Sequence, residues 1–249
     1  MTLFEQFAPV IQSDTAPIVR DARLLMDSED GVSIYYAPFE YNNPSAKIVL
    51  VGITPGPAQM VNANNEARRN LLSGSDYDMA MRNAKETGGF SGKPMRSNLI
   101  NQLNHWGVHS WLNLKDSSEL FSTSRNLLQT TSLLRYPVFV DGKDYRGKPN
   151  MLKHPLLKKY LFEHFVSDVN SLENAIFFPL GPTVKKVIDT LVEQGAIDES
   201  KVATGLLHPS GNCTYRIQYL VGDRSQPVPH ATNPIPYEQG RVDFRNRFL

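Results

Sequence analysis

The stretch KIVLVGITPGP, residues 47–57, passes from an unbroken apolar run into a loop of glycine and proline. Continuous rather than alternating hydrophobicity marks a strand covered on both faces, as in a parallel sheet between helices. Two further runs share this form, AIFFPLG (175–181) and KVATGLL (201–207), and NLLQTTSLL (126–134), which mixes threonines with leucines, supplies a fourth strand. Helical periods lie between them. Met60, Ala63, Ala67 and Leu71 recur at three- and four-residue spacing, as do Met95, Leu99, Leu103 and Trp106, with Gly74 and Gly107 at the stop positions. Another helix is expected from Leu156 to about Leu172, and one more after Pro182. Strands alternating with helices predict an α/β fold, a three-layer α/β/α sandwich with a central, mostly parallel sheet. No linker or repeat divides the chain, so residues 1–249 read as one domain, with an extended proline-rich tail from about residue 225.

Composition narrows the function. With 26 Lys+Arg against 25 Asp+Glu, the net charge of +1 gives no global basic field, and an anionic partner must meet a local patch. The lone cysteine, Cys213, excludes an internal disulfide and a four-thiolate iron–sulfur cluster within this chain. There is no basic segment followed by an apolar one at the N-terminus and no apolar run of about 18 residues. The expectation is a cytoplasmic chain that does not enter a membrane.

Two loops can carry chemistry. Gly52, Ile53, Thr54, Pro55 and Gly56 follow the first strand, and His208, Pro209, Ser210 and Gly211 follow KVATGLL. Ligands gather at the carboxyl ends of strands in open α/β sheets, and glycine lets the backbone approach them. Taken singly, the first loop reads equally as a rigid strand-to-helix turn, and His208 as a histidine bonded to a backbone carbonyl. The first loop is neither a dinucleotide fingerprint nor a phosphate-binding P-loop.

In these places the sequence resembles the uracil-DNA glycosylase superfamily. GITPGPAQ and LLHPSGN are similar to its first and second active-site motifs, which the mismatch-specific and single-strand-selective branches write G-[IM]-N-P-G and H-P-S. GGFSGKPMRSNLINQL (88–103), LLQTTSLLRYP (127–137) and the segment from His154 to Ile188 resemble intervening elements, in order, over roughly residues 47–220. The resemblance implies that Thr54 and His208 are catalytic, Thr54 standing where relatives hold the attacking water and His208 stabilising the departing base. It further implies that Gly52, Ile53, Pro55 and Gly56 shape the pocket, that Phe90 stacks on the base and that Thr130 lies near its edge. Pro209, Ser210 and Gly211 would lie against the nucleic-acid backbone. Such chemistry needs no metal or cofactor: a donor aimed at the base offsets the charge that develops as the N-glycosidic bond breaks, and an aromatic replaces stacking lost on flipping.

Two departures bear on activity. Thr54 is a neutral hydroxyl where relatives have a carboxamide or carboxylate, and Thr130 lacks the paired donor and acceptor of an amide. The extra stretch Asn62–Thr87 reads as a solvated helical pair rather than as part of the site. Arg135, Arg146, Lys158 and Lys159, with Lys143, Lys148 and Lys153 and interleaved by Tyr136, Tyr145 and Tyr160, form either a phosphate-tracking patch or an ordinary solvated face. Trp106 and Trp111 are expected in the core. The leading function is hydrolysis of a damaged or deaminated, uracil-like base from DNA. The alternatives are an inactive member binding single-stranded nucleic acid, a free base or a nucleotide, and an enzyme acting on a small nucleoside. The expected partners are DNA or such a small ligand, with the chain a monomer.

Overall fold

Asp30–Gly31 and Asp141–Gly142 both adopt left-handed backbone, at φ 49° and 79° and at φ 49° and 73°. Such pairs close tight β-hairpins whose twist matches that of the strands they join. They build an antiparallel sheet that continuous hydrophobicity does not reveal. The computed structural model describes residues 1–13, 19–222, 227, 230 and 232–249, in two compact units.

The first unit comprises Met1–Pro44, Ile53–Ser91 and Thr130–Glu173. Its sheet has the order β1 (Leu25–Glu29), β2 (Val32–Tyr35), β5 (Val138–Val140), β6 (Lys143–Asp144), with every pair antiparallel. Helix α1 (Leu3–Gln12) starts with a reciprocal cap, Glu5 N–H donating to Thr2 Oγ1 at 3.2 Å and Thr2 N–H to Glu5 Oε2 at 2.6 Å. Helices α2 (Pro57–Leu72) and α3 (Tyr77–Gly88) pack through Met60, Ala63, Ala67 and Leu71 on one and Ala80 and Ala84 on the other. A Cβ on Gly88 would lie 2.8 Å from that of Ala63, so a side chain there would force the helices apart. This pair contains the stretch expected to be solvated. It is helical, but its inner face is core and buries Asn64, Asn70 and Lys85. Helices α6 (Pro155–Tyr160) and α7 (Ser167–Val169) are joined by the π-helical turn Leu161–Val166.

The second unit comprises Ser45–Gly52, Gly92–Gln129 and Asn174–Leu249. Here β3 (Ile48–Gly52) and β7 (Ile176–Pro179) pair in parallel, Ile48 opposite Ile176 and Val51 opposite Pro179. The sheet order is β4–β3–β7, with β4 (Leu128–Ser132) entering from this unit. Helices α4 (Met95–Trp106), α5 (Val108–Trp111), α8 (Pro182–Glu193), α9 (Thr214–Leu220) and α10 (Ile235–Phe248) complete it. Gly107 ends α4 at φ 87°.

The protein is thus mixed α/β, with a three-stranded parallel sheet and a separate antiparallel one. Two expectations are corrected. KVATGLL is not a strand: it keeps one bridge, Val202 to Phe177, and the bonds Ala203 N–H to Phe177 O and Gly181 N–H to Leu206 O, both 2.9 Å. The ladder fails near Gly205, at φ 128°, where a Cβ would lie 2.6 Å from Pro236 O and 3.2 Å from the Trp106 ring. The closing segment is not extended along its length, although 225, 226, 228, 229 and 231 lie outside the described residues. Residues 235–248 form α10, because Pro236 sits in the first turn, where a missing N–H costs nothing. Tyr237 and Phe244 of α10 pack on Trp106, ring centres 5.7 and 6.0 Å away, and Trp106 is fully buried while Trp111 is half-buried. Among the described residues no helix is long and apolar enough to cross a membrane.

Candidate functional site

A pocket open to solvent, about 260 Å³ with the space at its mouth included, lies in the first unit, lined by Phe39, Pro55, Gln59, Lys85, Gly89, Phe90, Thr130, Thr131, Ser132 and Arg135. Phe90 is held there at a cost. Its φ is 48°, in the left-handed region that a bulky side chain rarely enters, and its N–H donates to Gln59 Oε1 at 2.9 Å. Asn62, one turn along α2, donates to Ser91 Oγ at 2.9 Å, so α2 fixes both Phe90 and its neighbour. Gly89 must be glycine because a Cβ there would collide with Thr130 Oγ1 and with Lys85 O at 2.9 Å.

Of the residues singled out in the sequence, Pro55, Phe90, Thr130 and Arg135 face this cavity. Thr54, beside Pro55, uses its hydroxyl elsewhere: it donates to Tyr136 O at 2.8 Å and accepts from Val138 N–H at 3.1 Å. One acceptor position of the oxygen is left. Thr54→Val should therefore lose about 1–3 kcal/mol of stability in urea denaturation, because two backbone groups lose their partner, while Thr54→Ser stays near wild type. Ile53 O accepts from Leu134 N–H at 2.9 Å, Gly56 caps α2, and Gly52 ends β3 in the second unit.

Arg135 is not part of a surface patch. Its Nη2 lies 2.6 Å from Asp168 Oδ1 and 3.3 Å from His164 O, and both side chains of the ion pair are largely buried. The π-helical turn carries His164 and brings its carbonyl to the guanidinium. Tyr136, Tyr145 and Tyr160 are buried too, so no aromatic stripe accompanies the basic residues. Arg146, Lys158 and Lys159 are exposed, Lys159 at 3.8 Å from Asp27.

Sequence reasoning missed the polar cluster around Arg135. Lys85, from the middle of α3, is buried and donates to Tyr41 O at 2.5 Å. Burial pushes its ammonium down to about 7, against the pull of Asp168, while Arg135 lowers it further. Burial lifts the Glu40 carboxyl and, with Glu40, raises the Tyr36 hydroxyl well above its ordinary value. His164 is pushed down to about 4, by burial first and Arg135 next. Among the described residues no three His, Cys, Asp or Glu side chains gather as around a metal ion.

The histidine loop belongs to the second unit. His208 is half-buried, and its Nδ1 accepts from Ser210 N–H at 3.3 Å. That bond places the ring proton on Nε2, and burial lowers the pKa, so the imidazole is a neutral donor near pH 7. Two buried amides of α4, four residues apart, hold the loop. Gln102 Oε1 accepts from Leu207 N–H at 2.8 Å and its Nε2 donates to Leu207 O at 3.2 Å, while Asn98 Nδ2 donates to Pro209 O at 2.9 Å and to Thr214 Oγ1 at 2.8 Å. Gly181 turns beneath His208 at φ 87°, a Cβ there lying 3.4 Å from the histidine Cβ. Pro209 is buried, Ser210 half-buried and Gly211 exposed. The signal for the clamp was two amides at i and i+4 on an otherwise apolar helix face. Gln102→Ala leaves both polar groups of Leu207 unpaired and should lower stability by about 1–3 kcal/mol in chemical denaturation.

No family model matches the chain. YoxB of Bacillus subtilis strain 168, described as an uncharacterized protein, is 35% identical over 204 residues, covering 81% of this chain and 79% of YoxB. The chain belongs to the YoxB family. Among solved structures, wild-type Pedobacter heparinus SMUG2 superposes loosely, with a TM-score of 0.43 and 11% identity over 98% of this chain and 97% of that one. For the YoxB family member described here, the polar cluster and the histidine loop are places with chemistry to offer among the described residues.

Proposed function

We propose that this YoxB-family protein is a DNA glycosylase-like enzyme, which takes one unstacked base into the cavity of the first unit and hydrolyses the bond joining it to its sugar. The cavity carries the reading. Phe39 and Phe90 offer aromatic faces, and Thr130, Thr131, Ser132 and Arg135 offer hydrogen bonds for a ring edge. The order of the motifs in the sequence supports the same reading.

In the proposed reaction the base leaves with the bonding electrons of the N-glycosidic bond, and water adds to the anomeric carbon, its released proton passing through solvent to the base anion. The resemblance of its loop to the second motif is what suggests His208 for the departing base, and as a neutral N–H donor its ring suits a hydrogen bond rather than a proton transfer. Exposed Arg146, Lys158 and Lys159 track the phosphates. The proposed setting is the cytoplasm, with single- or double-stranded DNA as partner and the chain working as a monomer.

One observation favours a second reading of the same cavity, as a receptor without hydrolysis. Thr54, the first-loop position where relatives hold water, has its proton committed to Tyr136 O. Excision assays on single- and double-stranded oligonucleotides carrying a panel of altered bases decide between the two. Release of any base establishes the enzyme. Binding of the same strands with no release on any of them establishes the receptor.

A further inference from the structure

Residues 88–91, GGFS, close helix α3 with a type II turn. Ser91 N–H donates to Gly88 O at 3.0 Å, Gly89 stands second at φ −59° and ψ 118°, and Phe90 stands third at φ 48°. The third position of such a turn asks for glycine, whose backbone enters the left-handed region without strain. Glycines occupy the two positions before it instead, and a bulky aromatic takes the strained one. A local preference broken in this way marks a place where the position of the ring matters more than the ease of the turn, and the conformation persists only where its surroundings over-determine it.

Those surroundings belong to the start of α2. A type II turn leaves the N–H of its third residue without a partner inside the turn, and that of Phe90 donates to Gln59 Oε1 at 2.9 Å. Asn62 Nδ2 donates to Ser91 Oγ at 2.9 Å, and Gly88 lies so close to Gln59 O that a Cβ would stand 3.0 Å from it. Phe90 is buried and, with Gln59, lines the pocket. We propose that Gln59 is the positioning residue of the stacking face: by accepting the Phe90 N–H it holds residue 90 in the conformation that keeps the ring on the pocket wall. The inference rests on reading the pocket as the place of an unstacked base, and it ties the aromatic to the helix that Gly56 caps. Gln59 acts through Phe90 and is given no contact with the reacting atoms.

The test measures binding of the full chain to single strands that each carry one altered base at the same position, against a strand with an abasic site there. The difference reads the hold on the base and cancels the phosphate contacts. Phe90→Gly, which adopts φ 48° unaided but has no ring, should remove most of that preference, a loss of about tenfold or more. Gln59→Ala should reduce it about three- to tenfold, the worth of one hydrogen bond, and Gln59→Glu, which keeps an acceptor, should restore most of it. Gln59→Leu, of closer volume, serves where Gln59→Ala does not fold. Adding Gln59→Ala to Phe90→Gly should cost nothing beyond Phe90→Gly alone, whereas a residue that only supports the fold would weaken both backgrounds alike. Exchange of the Phe90 amide hydrogen, followed by NMR, should quicken in Gln59→Ala and stay slow in Gln59→Glu. An unchanged preference in folded Gln59→Ala, an additive double variant, or a slowly exchanging Phe90 amide in Gln59→Ala overturns the inference and leaves the base-binding reading standing. No preference for any base over the abasic strand in the wild-type chain removes that reading, and this inference falls with it.

Discussion

Asp168→Ala is expected to lower stability by about 3–5 kcal/mol, the range for removing one partner of a buried ion pair. Asp168 and Arg135 lie 2.6 Å apart, with side chains 13% and 12% exposed, so solvent screens the pair weakly. Without the carboxylate, the guanidinium keeps the His164 carbonyl and the Tyr136 hydroxyl as partners, neither of them charged, and stays ionised in a poorly hydrated place. Urea or guanidinium denaturation measures the loss directly. Arg135→Met combined with Asp168→Leu should recover much of it, because apolar side chains of similar volume impose no desolvation penalty. A single substitution costing under about 1 kcal/mol would mean that water reaches the pair and that the cluster is not buried in solution.

The second large effect is on chemistry. On the proposed glycosylase reading, His208→Ala should slow excision by about 10²–10³-fold, as loss of one preorganised donor to a developing anion does. The proton sits on Nε2 because Nδ1 accepts from Ser210 N–H. As a neutral donor the ring is ready near pH 7, so the rate should lose nothing as pH rises from 7 to the range where other groups titrate. Single-turnover excision on a strand bearing the best substrate base gives the rate, and binding of that strand should change little. Gln102→Ala, which loosens the loop but leaves the imidazole, should reduce the rate less. An unchanged rate in His208→Ala removes this residue from the mechanism.

Legibility followed the range of the interactions. Strands β3 and β7 were readable because burial on both faces leaves an unbroken apolar run, and α2 and α4 because one apolar stripe repeats along each. The antiparallel sheet was not. Its strands are two to five residues long, and β2 pairs with β5 more than a hundred positions later. The two Asp–Gly pairs were its local signal. Four prolines after residue 225 suggested an extended tail, whereas those at 234 and 236 open a helix. Among the candidate residues, Pro55 and His208 stood in recognisable loops, Phe90 in a glycine-flanked segment and Thr130 in the fourth strand. Lys85 looked like one more solvated charge on α3, and nothing at 135 pointed to a carboxylate at 168. Burial and pairing of charges are tertiary facts with no spacing in the chain.

The fold also stores two bases in their uncharged form, and that makes folding an acid-releasing event. Between about pH 7 and 10.5 the unfolded chain carries a proton on Lys85 that the folded chain rejects, and between about 4 and 6.5 the same holds for His164. In both windows the unfolded state binds more protons, so stability rises with pH. Above about 10 the sign reverses, because Tyr36 and Tyr136 keep protons that their unfolded counterparts lose. Maximal stability should fall on the alkaline side of neutrality. The heat of unfolding near pH 8.5 should then depend on the ionisation enthalpy of the buffer, as expected when a proton is taken up from it. A molecule whose denaturation left the buffer untouched would have Lys85 charged in its interior.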